Sequence, residues 1–168
     1  MPETPDEYRL RLASYVDNRD PLEIQRETPA KLARLLDAIP ADRLTRRANP
    51  QQWSIVEILA HLAEDELTST WRYRQMIEHP GAALPGFDQN LWARLGHYSA
   101  WEPREALEMF RLLREANLRM LASLSEAEWD RSGLHAERGP ISVRSLARHM
   151  AAHDVNHVLQ IEKLLAGN

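Results

Sequence analysis

Trp53-Ser54-Ile55-Val56-Glu57-Ile58-Leu59-Ala60-His61-Leu62 opens the clearest helix in this 168-residue chain. Ser54 is placed to cap it, because its hydroxyl can accept one of the amide N–H groups that the first turn leaves without a carbonyl. Glu57, three residues on, completes a capping box, and Trp53 with Ile58 forms a hydrophobic staple across the cap. The helix is expected to run to about Glu78, where His79-Pro80-Gly81 ends it.

Apolar residues at helical spacing recur on both sides of this segment. A short helix is expected around Glu7–Val16, then a first long helix over about Pro21 to Ile39, buried through Leu22, Ile24, Leu32, Leu35, Leu36 and Ile39. Pro29 falls inside it and should kink or interrupt it, since proline removes a backbone donor and clashes one turn back. Residues 79–102 are rich in Pro, Gly and aromatics and read as a connection with one short helix near Gln89–Leu95. A third long helix starts at Pro103 and runs to Leu124, its inner face built from Ala106, Leu107, Phe110, Leu113, Leu118 and Leu121. One further turn over Glu126–Asp130 and a loop over Arg131–Ile141 lead to the last helix, capped by Ser142 and ending near Ala166. Alternating β-branched runs are absent. The expected fold is therefore all-α, a four-helix bundle with short additional helical segments forming one domain over residues 1–168.

Composition narrows the chemistry. A net charge of -4 offers no basic footprint for nucleic acid, and pairs such as Arg46-Arg47 read as solvated helix ends. The chain has no cysteine, which excludes disulfides, thiolate ligands and a cysteine nucleophile; any thiol chemistry needs a thiol from outside. Met1–Glu7 is acidic and proline-broken, the reverse of a secretory signal, and no apolar run approaches the ~18 residues of a membrane span. The expectation is a cytoplasmic protein.

The last helix carries His149-Met150-Ala151-Ala152-His153-Asp154-Val155-Asn156-His157. Imidazoles four residues apart stack on one face and can converge on one ion, whereas His149 and His157 stand ~12 Å apart along the axis. Counting about 100° per residue from the apolar stripe puts His157 roughly 30° from its centre, His153 roughly 70° and His149 roughly 110°. The inward pair is thus His153 and His157. His61, beside Ile58 and Leu62 on the second long helix, supplies a third imidazole from a facing element. Three neutral imidazoles leave a position open for water or substrate and favour Zn, Ni or Fe over Ca or Mg. Asp65, one turn beyond His61, would orient a ligand or contribute an oxygen, and Asp154 and Asn156 would support the pair from behind.

The segments 53–62 and 153–161, with their order and separation, resemble the DinB-like superfamily, the DinB/YfiT-type metalloenzymes, over roughly residues 20–166. This resemblance implies an up-down-down-up bundle holding a divalent transition metal through His61, His153 and His157, with a homodimer implied by resemblance alone. Family members with assigned activity include thiol S-transferases using bacillithiol or mycothiol, a thiol-dependent isomerase and hydrolases. The leading functional expectation is a metal-dependent enzyme that transfers a low-molecular-weight thiol to an electrophilic small molecule. The alternatives are a metal-dependent hydrolase and a non-catalytic, stress-related metal-binding module. Glu64 or Asp65 beside the ion would favour hydrolysis, a cation-lined open pocket a charged thiol, and a plugged pocket the module. In Trp71-Arg72-Tyr73-Arg74 the arginines read as a solvated helix face, with an anion-holding role as the alternative. His135 reads as a loop histidine without chemistry, the alternative being a fourth ligand, and Trp92, Tyr98 and Trp101 read as packing residues.

Overall fold

A computed structural model of the chain describes residues 4–167; Met1–Glu3 and Asn168 lie outside the described residues. Four long helices, α2 (Pro21–Leu36), α4 (Ile55–Glu78), α6 (Pro103–Ala122) and α8 (Val143–Leu165), make the bundle. Short helices α1 (Pro5–Ser14), α3 (Ala41–Thr45), α5 (Gln89–Leu95) and α7 (Glu126–Trp129) lie in the N-terminal segment and the connections. The caps form as anticipated. Ser54 N–H donates to a Glu57 carboxylate oxygen at 2.8 Å, and Glu57 N–H donates to the Ser54 hydroxyl at 3.4 Å. The same carboxylate is also held by the Arg47 guanidinium.

The direction of each helix follows from which ends share a core. One cluster joins Leu32 and Leu36 at the end of α2, Ile58, Leu59 and Leu62 at the start of α4, Phe110 on the first half of α6, and Val158 and Ile161 near the end of α8. The other joins Tyr73 and Met76 at the end of α4, Leu121 at the end of α6, and Val143, Leu146 and Met150 on the first part of α8, with Leu22 of α2 against it. Thus α2 and α8 run one way while α4 and α6 run the other, which is the up-down-down-up order. Consecutive α4 and α6 are parallel, so the chain between them must travel the length of the bundle. Fully burying side chains such as Leu32 and Phe110, both 0% exposed, stabilises the fold by roughly 1.5–3 kcal/mol each.

Pro29 does not interrupt α2, which carries it in its interior. Proline at 29 withholds the N–H that would have bonded the carbonyl of Gln25, one turn back. That carbonyl instead accepts from Arg114 Nη1 of α6 at 3.0 Å. The lost intrahelical bond becomes a tie between helices.

Arg114 is the hub of a buried polar network, with only 1% of its surface exposed. It forms two hydrogen bonds to Asp154 of α8, and its Nη2 donates to Glu66 of α4 at 2.7 Å. Asn117 donates to the other Glu66 oxygen at 2.7 Å. Burial opposes its charge, but Asp154 and Glu66 override that cost, and the guanidinium is held well above its usual pKa.

A small sheet stands where only loops were expected. Strands β1 (Ala83–Leu84), β2 (Ser132–His135) and β3 (Gly139–Ser142) lie in the order β1-β2-β3. β1 pairs with β2 in parallel and β2 with β3 in antiparallel fashion, His135 facing Gly139 across a three-residue turn. Gly139 has a φ of +70°, which favours glycine at the exit of that turn. At Gly133 a Cβ would come within 2.7 Å of Leu84 Cδ1 and 2.9 Å of the Ala82 carbonyl, so only glycine lets β2 approach β1. The sheet is minor beside the bundle but carries His135 to the site. Among the described residues no helix is long and apolar enough to cross a membrane.

Candidate metal centre

His61 stands about two turns into α4, and His153 and His157 stand one turn apart on α8. The antiparallel packing of α4 on α8 brings all three imidazoles to one point. His153 Nε2 lies 3.2 Å from His61 Nε2 and 3.0 Å from His157 Nε2. One candidate donor atom from each residue lies within 4.8 Å of the others. The trio named from helical geometry is thus brought together.

The donor set fits a cation on its own evidence. His153 Nε2 faces two other Nε2 atoms at once, and a single N–H could serve only one of them. Nitrogens ~2.0–2.1 Å from a tetrahedral zinc are separated by about 3.3 Å, close to the spacing observed. The outer nitrogens are arranged to match. The Gln160 carboxamide lies 2.9 Å from His157 Nδ1, so its oxygen can take that proton and leave the inner lone pair free. His153 Nδ1 is buried without a hydrogen bond, and Asp65 Oδ2 stands 3.5 Å from it. A carboxylate there orients the ring electrostatically, the arrangement common behind metal-binding histidines. Burial pushes His61 down to about 3 with help from His157, pushes His157 down to about 4 against the opposing Gln160, and holds His153 well below its usual value. All three are neutral donors at pH 7. Burial, with Glu66 adding to it, raises the Asp65 carboxyl to about 7.

The centre opens into a cavity of about 310 Å³ that His61 and His153 line together with Asp65, Arg72, His135 and His149. His149 is half-buried, its ring 6.2 Å from that of His153 and outside the converging trio. His135 is likewise no member of the trio; it is buried on strand β2 and faces the cavity, which corrects its placement in a loop. Arg72 is buried too, and only Arg74 fits the solvated face expected of the pair. Behind the pair, Asp154 turns away to Arg114, and Asn156 accepts from Arg11 of α1 at 2.7 Å, so neither supports the histidines directly. Glu64 is engaged by the Tyr98 hydroxyl at 2.5 Å. Tyr98 itself is 1% exposed, as its packing role requires. Sequence reasoning missed Arg114, which only the fold connects to its partners, and Gln160, whose signal was its place three residues after His157 on the same helix face.

Comparison with known proteins places this arrangement among relatives. A candidate metal-dependent hydrolase of Oceanobacillus iheyensis is 23% identical over 138 residues, covering 82% of this chain and 79% of its own. YfiT of Bacillus subtilis, also carried as a candidate metal-dependent hydrolase, is 21% identical over 160 residues, 94% of this chain and 90% of its own. The solved structure of YfiT, described as a probable metal-dependent hydrolase with an unusual four-helix bundle topology, superposes with a TM-score of 0.80 at 19% identity over 86% of this chain and 83% of that one. A mycothiol-dependent maleylpyruvate isomerase shares the fold with a TM-score of 0.63 at 13% identity, over 80% of this chain and 58% of the isomerase. The description of the DinB superfamily matches residues 25–161. With most of its length so matched, this chain belongs to the DinB superfamily.

Proposed function

We propose that this protein is a metal-dependent enzyme that delivers a low-molecular-weight thiol to an electrophilic small molecule, with His61, His153 and His157 as the metal ligands. A divalent ion in that position supplies Lewis acidity, lowering the pKa of a thiol or water that ligates it. The chain's own residues do the rest. The three imidazoles donate neutral nitrogens, Asp65 and Gln160 orient two of the rings, and the open cavity admits both reactants. The observation that carries the thiol reading is the wall of that cavity, where Arg72, His135, Arg138 and His149 gather cationic and donor groups suited to an anionic thiol. Of the acids nearest the centre, Asp65 stands behind His153 and Glu64 accepts from Tyr98.

Hydrolysis is the second reading. It is favoured by the names of the relatives and by Asp65, whose raised carboxyl would take a proton near neutral pH. Purification without an affinity tag, metal analysis and a paired screen separate the two. Conjugation of small thiols to electrophiles, dependent on the metal, supports thiol transfer. Ester or amide cleavage without any thiol requirement would replace it with hydrolysis.

A further inference from the structure

Arg72 is difficult to explain as a structural residue. It lies eleven residues after His61 and seven after Asp65 on α4, spacings that return to the same helix face. Only 6% of its surface is exposed. Its Nη2 donates to the Pro85 carbonyl at 2.9 Å, and its guanidinium carbon sits 5.7 Å from the Phe87 ring centre, contacts that fix its plane. Its Nε–H is buried with no acceptor, and no carboxylate among the described residues comes within ion-pair distance of it. Asp65 and Glu137 attract the guanidinium from beyond ion-pair distance, and its unbonded N–H costs free energy unless water or a ligand in the cavity meets it.

His135 offers a second donor in the same cavity. Its Nδ1 accepts from the Glu137 N–H at 3.2 Å, which places the proton of the neutral ring on Nε2. The remaining charges complete the picture. Arg72 and Arg138 balance Asp65 and Glu137 around the cavity, so a divalent ion makes it net positive. A planar guanidinium with an unbonded Nε–H, backed by a second N–H donor, matches a carboxylate better than a tetrahedral anion.

We propose that Arg72 and His135 form a carboxylate-binding subsite beside the three-histidine centre, selecting a small molecule whose carboxylate lies several bonds from its reacting atom. The inference rests on the thiol-transfer reading for which reactant it holds, though not for the subsite itself. The axial rise from His61 to Arg72 is about 16 Å, and with the side chains reaching inward the carboxylate sits on the order of 10 Å from the imidazoles. The carboxylate belongs either to the thiol or to the electrophile.

Calorimetry on the zinc-loaded protein distinguishes these sources. The thiol arm compares mercaptohexanoate with its amide and mercaptopropionate with its amide. The electrophile arm compares bromohexanoate with its amide, which a chain without cysteine does not consume through a thiol of its own. Wild-type protein is expected to bind at least one hexanoate tighter than its amide by about tenfold or more, a charge-assisted hydrogen bond's worth, and to show no such preference for the short mercaptopropionate. Arg72→Gln should erase the preference with zinc content and amide binding unchanged. Arg72→Lys, which keeps the charge but not the fork, should retain only a few-fold. The length dependence needs no variant, so a poorly folded Arg72→Gln leaves the test intact. Equal binding of acid and amide in both arms, or a preference that survives Arg72→Gln, overturns the subsite. If the preference is present but thiol conjugation is absent, the subsite stands and thiol transfer falls. Conjugation without any preference has the opposite meaning.

Discussion

Replacing Arg114 with leucine tests what holds the bundle in register. The guanidinium neutralises Asp154 and Glu66, which are 0% and 1% exposed, and also fills the Gln25 carbonyl that Pro29 leaves open. Without it, both carboxylates remain buried, with Asn117 as the remaining donor to Glu66 and Thr28 to Asp154. Removing one partner of a buried ion pair costs about 3–5 kcal/mol, and the orphaned carbonyl adds to that side of the balance. A domain of this kind is stable by about 5–15 kcal/mol, so a large share would be lost. At about 2–4 °C per kcal/mol for this chain length, Tm should fall by roughly 6–20 °C. The assay is thermal melting of metal-free protein followed by circular dichroism at neutral pH. The essential control combines Arg114→Met with Glu66→Leu and Asp154→Leu, which removes all three charges of this network and should recover most of the loss. A loss below about 1 kcal/mol in Arg114→Leu, or a triple variant no better than the single one, would falsify the reasoning that buried charge compensation holds these helices.

Three further outcomes are expected. His157→Ala should stay helical and monodisperse but lose bound metal, while His149→Ala keeps it, as metal analysis of both would show; equal loss in the two would move the ligand pair. Asp65→Asn should weaken zinc affinity by about 10–100-fold in competition with a chelator, and unchanged affinity would remove Asp65 from its supporting place. Burial pushes the Glu57 carboxyl up, but Arg47 and the Ser54 cap outweigh it, so the folded pKa is depressed. Its contribution is therefore complete above the ordinary carboxylate range and is lost as pH falls through the depressed value, a slope that melting curves should show and Glu57→Gln should flatten.

Most of the bundle was legible because its signals are local. Ser54 and Glu57 announce a helix start within four residues, and the apolar spacing of α4, α6 and α8 carries each helix to its end. The histidine trio was legible for a related reason, since helical angle alone separates His153 and His157 from His149. What escaped depends on partners distant in sequence. Ser132-Gly133-Leu134-His135 has no strand-like pattern, and it becomes β2 only because Ala82–Leu84 lies alongside. Arg72 reads as one more surface arginine until the 85–87 segment and β2 fold over it. Pro29 was given its ordinary effect on a helix, because nothing nearby in sequence reveals that an arginine 85 residues later (positions 29 and 114) supplies the missing donor.

The β2–β3 hairpin divides the molecule in a way that bears on how it can diversify. Its stem is laddered to β1 on one side and runs straight into the Ser142 cap of α8 on the other. Its turn, Ala136–Arg138, meets the cavity through Glu137 and Arg138 and contributes nothing to the apolar clusters that stabilise the bundle. One part of the cavity wall, Glu137 and Arg138, is therefore encoded apart from the helices that carry the rest of it. Substitutions at Ala136, Glu137 and Arg138 can change which molecule is admitted while the imidazoles and the helices that aim them stay put. A library randomised at those three positions would sample new selectivities with little loss of folded protein, and descendants of one ancestral gene could part ways in diet before they parted ways in shape.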